Sequence, residues 1–428
     1  MLKTYSYADL STAEIDKLVL RNSDPNQSIQ STVNDIIEEV RQQGDTALIN
    51  YAAKFDQVQL EKLYLDKAEI EELALTISRD QQRALEIAFQ NIHKFHSTQL
   101  KRERVVETMP GVKCWREVRP IEKVGLYIPG GSAVLPSTLL MLGVPARIAG
   151  CKEIVVCSPP QKSGKINGFV AYCLLLLKIE RIYLVGGAQA IAAMAFGTSS
   201  IPKVDKIFGP GNQFVTKAKS TIQSLTNVSI DMPAGPSEVL VIADNTANPA
   251  YVAADLLAQA EHGADSQSVL VTTETDFVDK VNAELEAQLA VLPRQEIARK
   301  AIENSYAVVT NDLKEAMQFS NIYAPEHLII ESDHWQTITS LILNAGSVFL
   351  GHLTPESAGD YASGTNHTLP TSGYARSYSG VSVDSFVKKI TFQSINEEGL
   401  KHIGSTVEIL AELEGLHAHK NAVSIRRK

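Results

Sequence analysis

The spacing of apolar positions changes near residue 123, and that change divides the chain. Before it, helical spacing dominates. Val33, Ile36, Ile37 and Val40 recur at intervals of three and four, and Gly44 stops that helix. Asp45 caps a second helix, whose stripe is Leu48, Tyr51, Ala52 and Phe55. A third spans about 79–99 and carries His93 and His96, which on such a helix read as surface or satisfied core residues rather than ligands. Residues 1–25 read as a small helical arm.

From about Lys123, apolar runs end in Gly or Pro and give way to helical patterns: KVGLYIPGGS, EIVVCSPP, RIYLVGGAQAIAAMAFG and KIFGPGNQFVTKAK. After Asp231 the alternation continues with EVLVIAD, SVLVTT, YAVVT and SVFLG. Strands and helices in strict alternation predict parallel, doubly wound sheets, here in two α/β domains. No repeat of solenoid period occurs. The last segment, 381–428, holds a strand-like KKITFQ and a helix over about 396–416. It is too short to bury a core alone, so it must dock on something.

One stretch follows no period. Residues 354–376, TPESAGDYASGTNHTLPTSGYAR, come after the apolar run 347–350 and are rich in Gly, Ser, Thr, Asn, Asp and Pro. Such a run inside a compact enzyme is functional or disordered. Tyr361, Leu369 and Tyr374 suit a loop packed on a scaffold, and Asp360, Asn366 and His367 are polar groups worth positioning.

Composition narrows the class. A chain of 428 residues exceeds one ordinary core, and 44% hydrophobic with 21% charged residues is ordinary for a soluble protein. A net charge of −9 without a basic patch argues against nucleic acid as a partner. Cys114, Cys151, Cys157 and Cys173 form no CxxC pair, which fits reduced thiols in the cytosol. The opening MLKTYSYADLSTAEIDKL lacks the apolar centre of a secretion signal, and the longest apolar run, 169–177, is about half a membrane span. A soluble, cytoplasmic protein with no membrane partner is expected.

Candidate chemistry is scattered. In DLLAQAEHG, Gln259 and His262 lie three apart on a helix that Asn248 caps and Pro249 enters, so both share one face near its end. In YAPEHL, Glu326 and His327 stand beside an apolar strand, a carboxylate and an imidazole suited to proton transfer near neutral pH. LHAHKNAV places His417 and His419 past a helix end. Ligands of the Gln, His, Asp and His types suit zinc, but spacing alone does not assemble them. VGGAQAIAAMAFG has the strand–Gly–helix order of a pyrophosphate site, although no GxGxxG occurs. The residues alone leave nucleotide use open.

Taken together, GLYIPGGSA (125–133), PARIAGC (145–151), VGGAQAIAAMAFG (185–197), KVDKIFGPGN (203–212), DMPAGPSEVLVIAD (231–244), LLAQAEHG (256–263), PEHLII (325–330), PESAGDYASGTNHTLPT (355–371) and AHKNAV (418–423) resemble the histidinol dehydrogenase family along essentially the whole chain. The resemblance implies a two-step oxidation of L-histidinol through the aldehyde to L-histidine, with NAD and one zinc ion per subunit. It implies zinc ligands Gln259, His262, Asp360 and His419, and the acid/base pair Glu326 and His327. Implied substrate contacts are Ser237 and Glu414, together with Gln259, His262, His327, Asp360 and His419. Implied NAD contacts are Tyr127, Gln189 and Asn212.

The family's fold implies two incomplete Rossmann-like domains: 26–125 with 237–380 carrying the zinc and acid/base residues, and 126–236 binding NAD. It also implies a homodimer that exchanges the tail, 381–428, so that His419 reaches the partner's site. A zinc hydrolase using Glu326 explains the metal and the Glu-His pair but leaves the paired α/β domains idle. A non-catalytic binding protein of the same fold leaves the full set of ligand and acid/base residues unexplained.

Overall fold

The computed structural model describes residues 1–21, 27–101, 103–130, 135–233 and 235–428. Gly131, Ser132 and Ala133 of GLYIPGGSA and Ala234 of DMPAGPSEVLVIAD lie outside them. Two six-stranded sheets organise the chain, each covered by helices, with a small third sheet beside them.

The first sheet runs Lys3–Ser6, Tyr306–Val309, Gln267–Thr272, Glu238–Ala243, His327–Glu331 and Ser347–Leu350 in spatial order, and all neighbours are parallel. Every residue of Glu238–Ala243 and of His327–Glu331 is buried, which is why 239–243 and 328–330 within them read as unbroken apolar runs. The second sheet runs Tyr64–Leu65, Ile182–Leu184, Glu153–Ser158, Lys123–Tyr127, Lys206–Phe208 and Ser229–Ile230, parallel except for its first strand. The α/β class with two Rossmann-like sheets is therefore as expected.

The division of the chain between them is not. The resemblance places 26–125 in the unit holding 237–380, yet Tyr64–Leu65 pairs with Ile182–Leu184 of the second sheet. The helix Gln27–Gln43 packs on Gly187–Phe196 and Gln213–Leu225, and Arg79–Ser97 packs on Pro136–Ala149. A two-residue strand carries no period, so nothing in the sequence announces this pairing. The N-terminal arm is also more than helical. Lys3–Ser6 extends the first sheet beside Tyr306–Val309, and the helix Thr12–Val19 follows, closed by a Ser11–Glu14 capping box.

Asp45 does not cap its helix. Gly44, at φ 54°, holds that position, and the Asp45 carboxylate instead accepts from the Ser200 hydroxyl at 2.7 Å. The aperiodic stretch 354–376 contains the helix Glu356–Tyr361. A Cβ on Gly359 would come 2.6 Å from the Phe349 ring, so only glycine lets this short helix lie against the strand Ser347–Leu350. His96 is buried and bonded, its Nδ1 donating to the Ile92 carbonyl at 2.9 Å, as expected of a core histidine.

The tail docks within its own chain. Val387–Ile395 pairs antiparallel with Val112–Pro120, which in turn pairs with Val106–Met109. The helix Glu397–Leu413, capped by Asn396, and the helix His417–Ser424 then pack on each other. They leave Ile409, Leu410, Leu413, Leu416 and Ile425 exposed.

Candidate active site

Glu326 and His327 sit at the start of the strand His327–Glu331, so the site lies at the amino edge of the first sheet. The helix Pro249–Ala260 runs back to the same edge and delivers Gln259 and His262. Asn248 caps it by accepting from the Ala250 N–H at 3.0 Å, and Pro249 opens it, as the sequence predicts. The short helix Glu356–Tyr361 brings Glu356 and Asp360 in from the other side.

His327 is the centre. Its Nδ1 lies 3.2 Å from the Glu238 carbonyl, which can only accept, so Nδ1 carries a proton. In the neutral ring Nε2 is then the free base, and it faces Asp360 Oδ1 at 3.7 Å. Glu326 Oε2 and Glu356 Oε1 each stand 3.7 Å from Nδ1. Burial works against charge on His327, but Glu356, Glu326 and Asp360 around it hold its pKa well above the usual histidine range.

The carboxyls divide by environment. Burial pushes Glu326 up to about 8, although His327 and the N–H of Glu238, donating at 2.9 Å, favour its ionised form. Burial likewise lifts Glu356 to about 8. Asp360 is also penalised by burial, yet contact with His327 holds it below the usual carboxylate range. Burial lowers His367, whose Nδ1 donates to the Asp360 carbonyl at 3.0 Å while Nε2 meets the Thr138 hydroxyl at 3.2 Å. His367 thus ties the active-site loop to the helix Pro136–Ala149 of the second unit. His262 stands at the solvent-facing rim, and the protein packed around its ring lowers its pKa.

Several buried atoms here lack partners. Both amide atoms of Gln259, His327 Nε2, Glu356 Oε2 and Asp360 Oδ1 have no hydrogen bond. Buried polar groups are normally satisfied, so a cluster of orphans marks a place where something binds. Donor atoms of His262, Glu356 and Asp360 lie within 4.8 Å of one another, the one group of three metal-ligating side chains among the described residues that converges so closely. Glu356 was missed from the sequence. Its signal was its place four residues before Asp360, which on a helix means the same face.

The other predicted residues fall elsewhere. Ser237 immediately precedes Glu238 at the same sheet edge, its carbonyl accepting from the Gln267 N–H at 3.2 Å. Glu414 and His419 are exposed on the tail, and His419 is not among the converging groups. Tyr127, Gln189 and Asn212 all line one cavity of about 760 Å³ in the second unit. It opens at the carboxyl ends of Lys123–Tyr127 and Lys206–Phe208, between which the strand order reverses, the usual ligand crevice of such sheets.

Gly186 and Gly187 there begin the helix Gly187–Phe196, and Asn212 caps Gln213–Leu225, so two helix N-termini border the cavity. Cβ atoms on Gly130 and Gly186 would meet Pro159 at 2.4 and 2.6 Å. These glycines let the loops after two of the strands close on Pro159 at the mouth of the cavity.

A profile of the histidinol dehydrogenase family matches residues 19–427. The histidinol dehydrogenase of Bacteroides thetaiotaomicron is 54% identical over 426 residues, spanning 100% of this chain and 99% of its own. The chloroplastic histidinol dehydrogenase of Arabidopsis thaliana is 54% identical over 430 residues, spanning 100% and 92%. The crystal structure of histidinol dehydrogenase from Elizabethkingia anophelis superposes with a TM-score of 0.96 at 51% identity, covering 99% of this chain and 98% of that one. With the profile matched over nearly the whole chain and relatives more than half identical along their full length, this chain belongs to the histidinol dehydrogenase family.

Proposed function

We propose that the chain oxidises L-histidinol through L-histidinaldehyde to L-histidine, the last steps of histidine biosynthesis, with NAD as acceptor and zinc as bound metal. The observation that carries this reading is the convergence of Glu326, His327 and Asp360 in a chain that the family profile matches over residues 19–427.

The residues fit zinc. Gln259 offers a buried, unpaired amide oxygen, Asp360 an unpaired carboxylate oxygen, and His262 an imidazole within reach of Asp360. Nitrogen and oxygen donors of these types are zinc ligands. Gln259, His262 and Asp360 would hold the ion together with His419 of the partner subunit. Bound zinc would supply a Lewis-acidic anchor for the substrate's imidazole and amine, and bound NAD the hydride acceptor.

The chain's own residues handle the protons. With a cation held at Asp360 to offset the anionic surroundings that keep a proton on His327, Nε2 is left as the free base and takes the hydroxyl proton as hydride leaves the alcohol carbon. The aldehyde must next gain water, and the Glu326 carboxylate accepts a proton from that water as it adds. His327 returns its proton to the aldehyde oxygen as the hydrate forms, and the freed Nε2 then receives a hydrate hydroxyl proton during the second hydride transfer. Ser237 and the partner's Glu414 are the further substrate contacts of this reading. Tyr127, Gln189 and Asn212, which line the cavity of about 760 Å³, would hold the dinucleotide, and the helix N-termini that border it offer N–H groups suited to phosphate.

The tail's role follows from its surface. The exposed Leu410, Leu413 and Leu416 beside Glu414 and His419 are suited to cover by a second copy, which gives a homodimer with shared sites. Four unpaired thiols, three of them buried, are in keeping with a reducing, cytoplasmic setting. No helix among the described residues is long and apolar enough to cross a membrane.

The deciding experiment is the NADH absorbance yield with limiting histidinol. A four-electron oxidation gives about two NADH per histidinol; one or none refutes the reading.

A further inference from the structure

Glu238 opens the central strand of the first sheet and touches both members of the acid/base pair through its main chain. Its N–H donates to Glu326 Oε2 at 2.9 Å, and its carbonyl accepts from His327 Nδ1 at 3.2 Å. Whatever fixes the backbone of Glu238 therefore fixes the aim of both side chains.

Its own carboxylate does part of that fixing. It is 1% exposed and is gripped in two places by the Arg21 fork: Nε to Oε2 at 2.8 Å and Nη2 to Oε1 at 2.9 Å. The Ser372 N–H, at the far end of the loop that carries Asp360, is a further donor to it. Arg21 is itself immobilised. Its Nη1 donates to the carbonyls of Val19 at 2.9 Å and Tyr323 at 2.8 Å, and its guanidinium lies 3.6 Å over the Tyr323 ring. Tyr323 is three residues before Glu326, so the same guanidinium braces the chain entering the acid/base pair from a second side.

A buried ion pair is a weak source of stability, because desolvation offsets most of its attraction. What a bidentate fork supplies instead is direction. The segments joined here come from the N-terminal arm, the central strand and the turn before His327, and they meet at the two groups that must be held in line.

We propose that Arg21 is a positioning residue which, through Glu238, holds Glu326 and His327 in the geometry for proton transfer. The N-terminal segment is then part of the catalytic apparatus. The inference rests on the reading above, that these two residues move the protons.

Arg21→Lys keeps the charge and removes the fork; Arg21→Ala leaves a guanidinium-shaped gap. With the zinc-loaded full chain, both variants should lose kcat for histidinol by roughly 10²-fold, the cost of a small misplacement. Zinc content should stay unchanged, and KM for histidinol and NAD should move by no more than about twofold. Added guanidinium ion, but not methylammonium, should restore part of the kcat of Arg21→Ala.

Folded variants that keep parental kcat overturn the proposal. So does a loss confined to KM, or a kcat loss in Arg21→Ala that guanidinium leaves untouched. Should Arg21→Ala not fold, the division between kcat and KM in Arg21→Lys decides alone. Glu326→Gln is assayed alongside. Its full activity would overturn the acid/base reading, whereas an impaired Glu326→Gln beside fully active Arg21 variants overturns only this inference.

Discussion

His327 Nε2 faces Asp360 Oδ1 across 3.7 Å, and both atoms are buried without a hydrogen-bond partner. That gap is too long for a hydrogen bond and too polar to be packing. It marks Asp360 as an acceptor aimed at a ligand, with His262 beside it.

Removal of either group should therefore empty the metal site. Asp360→Ala and His262→Ala should each lose zinc on dialysis and fall in activity by at least about 10²-fold, since even outer partners of a metal ligand cost about 10–100-fold. Their circular dichroism should stay near the parent's, because neither side chain belongs to the buried core. Metal analysis is the check, and a zinc-replete, fully active His262→Ala removes His262 from the ligand set.

Glu326 and His327 should separate the two half-reactions. Glu326→Gln should slow oxidation of supplied histidinaldehyde by ~10²–10⁴-fold, the usual worth of a general base, and slow alcohol oxidation far less. His327→Asn should slow the alcohol step as well, because asparagine cannot take up the hydroxyl proton. Single-turnover NADH formation from each substrate measures the contrast. Equal damage to both steps by Glu326→Gln would refute the division.

Asp255 and Glu331 form a second buried acidic pair that the proposed chemistry does not use. Burial lifts Asp255 from 3.8 to about 6, and burial together with Asp255 lifts Glu331 from 4.5 to about 8. The only imidazole near Glu331 among the described residues is His352, with Nδ1 at 3.9 Å from Oε2.

Both folded values lie above the unfolded ones, so the folded chain holds more protons across this window. The pair costs nothing below about pH 4, and stability declines as pH rises through about 8. Glu331→Gln should flatten that decline and raise Tm at pH 8.5 by roughly 2–4 °C. Parallel melting curves of variant and parent from pH 5 to 8.5 check it, and identical slopes count against the raised pKa of Glu331.

What the sequence reveals here depends on the range of each interaction. The strand at 238–243 is legible because burial on both faces leaves an unbroken apolar run at 239–243. Gln259 and His262 are legible as a pair because helical spacing puts them on one face. Glu356 becomes legible only once Glu356–Tyr361 is known to be a helix, because its four-residue spacing to Asp360 lies in a stretch too short to show a period. Arg21 and Glu238 are 217 residues apart, and no local pattern links them. Residues 27–101 join the second unit through a two-residue strand and helix packing, neither of which leaves a signature before the fold is known. Asp45 has the residue type of a cap, but Ser200 outcompetes its own helix for the carboxylate.

The tail carries the riskiest expectation. Its strand is held by Val112–Pro120 of its own chain, but His419 and Glu414 are exposed beyond it, on helices that leave Leu413 and Leu416 uncovered. If the site is shared, Gln259, His262 and Asp360 of one chain meet His419 of the partner subunit, and the monomer is catalytically incomplete. Two inactive proteins test this, His419→Ala and Asp360→Ala, unfolded together and refolded as a mixture. In a mixed dimer, the His419→Ala chain offers its intact Asp360 and receives the other chain's intact His419. One site is then whole, while the other lacks both ligands. Random mixing makes half the dimers mixed, so roughly a quarter of parental activity should return. If all four ligands came from one chain, every site would lack one and activity would stay at background. Background activity, with mixed dimers demonstrated by differently tagged chains, rules out the exchanged tail.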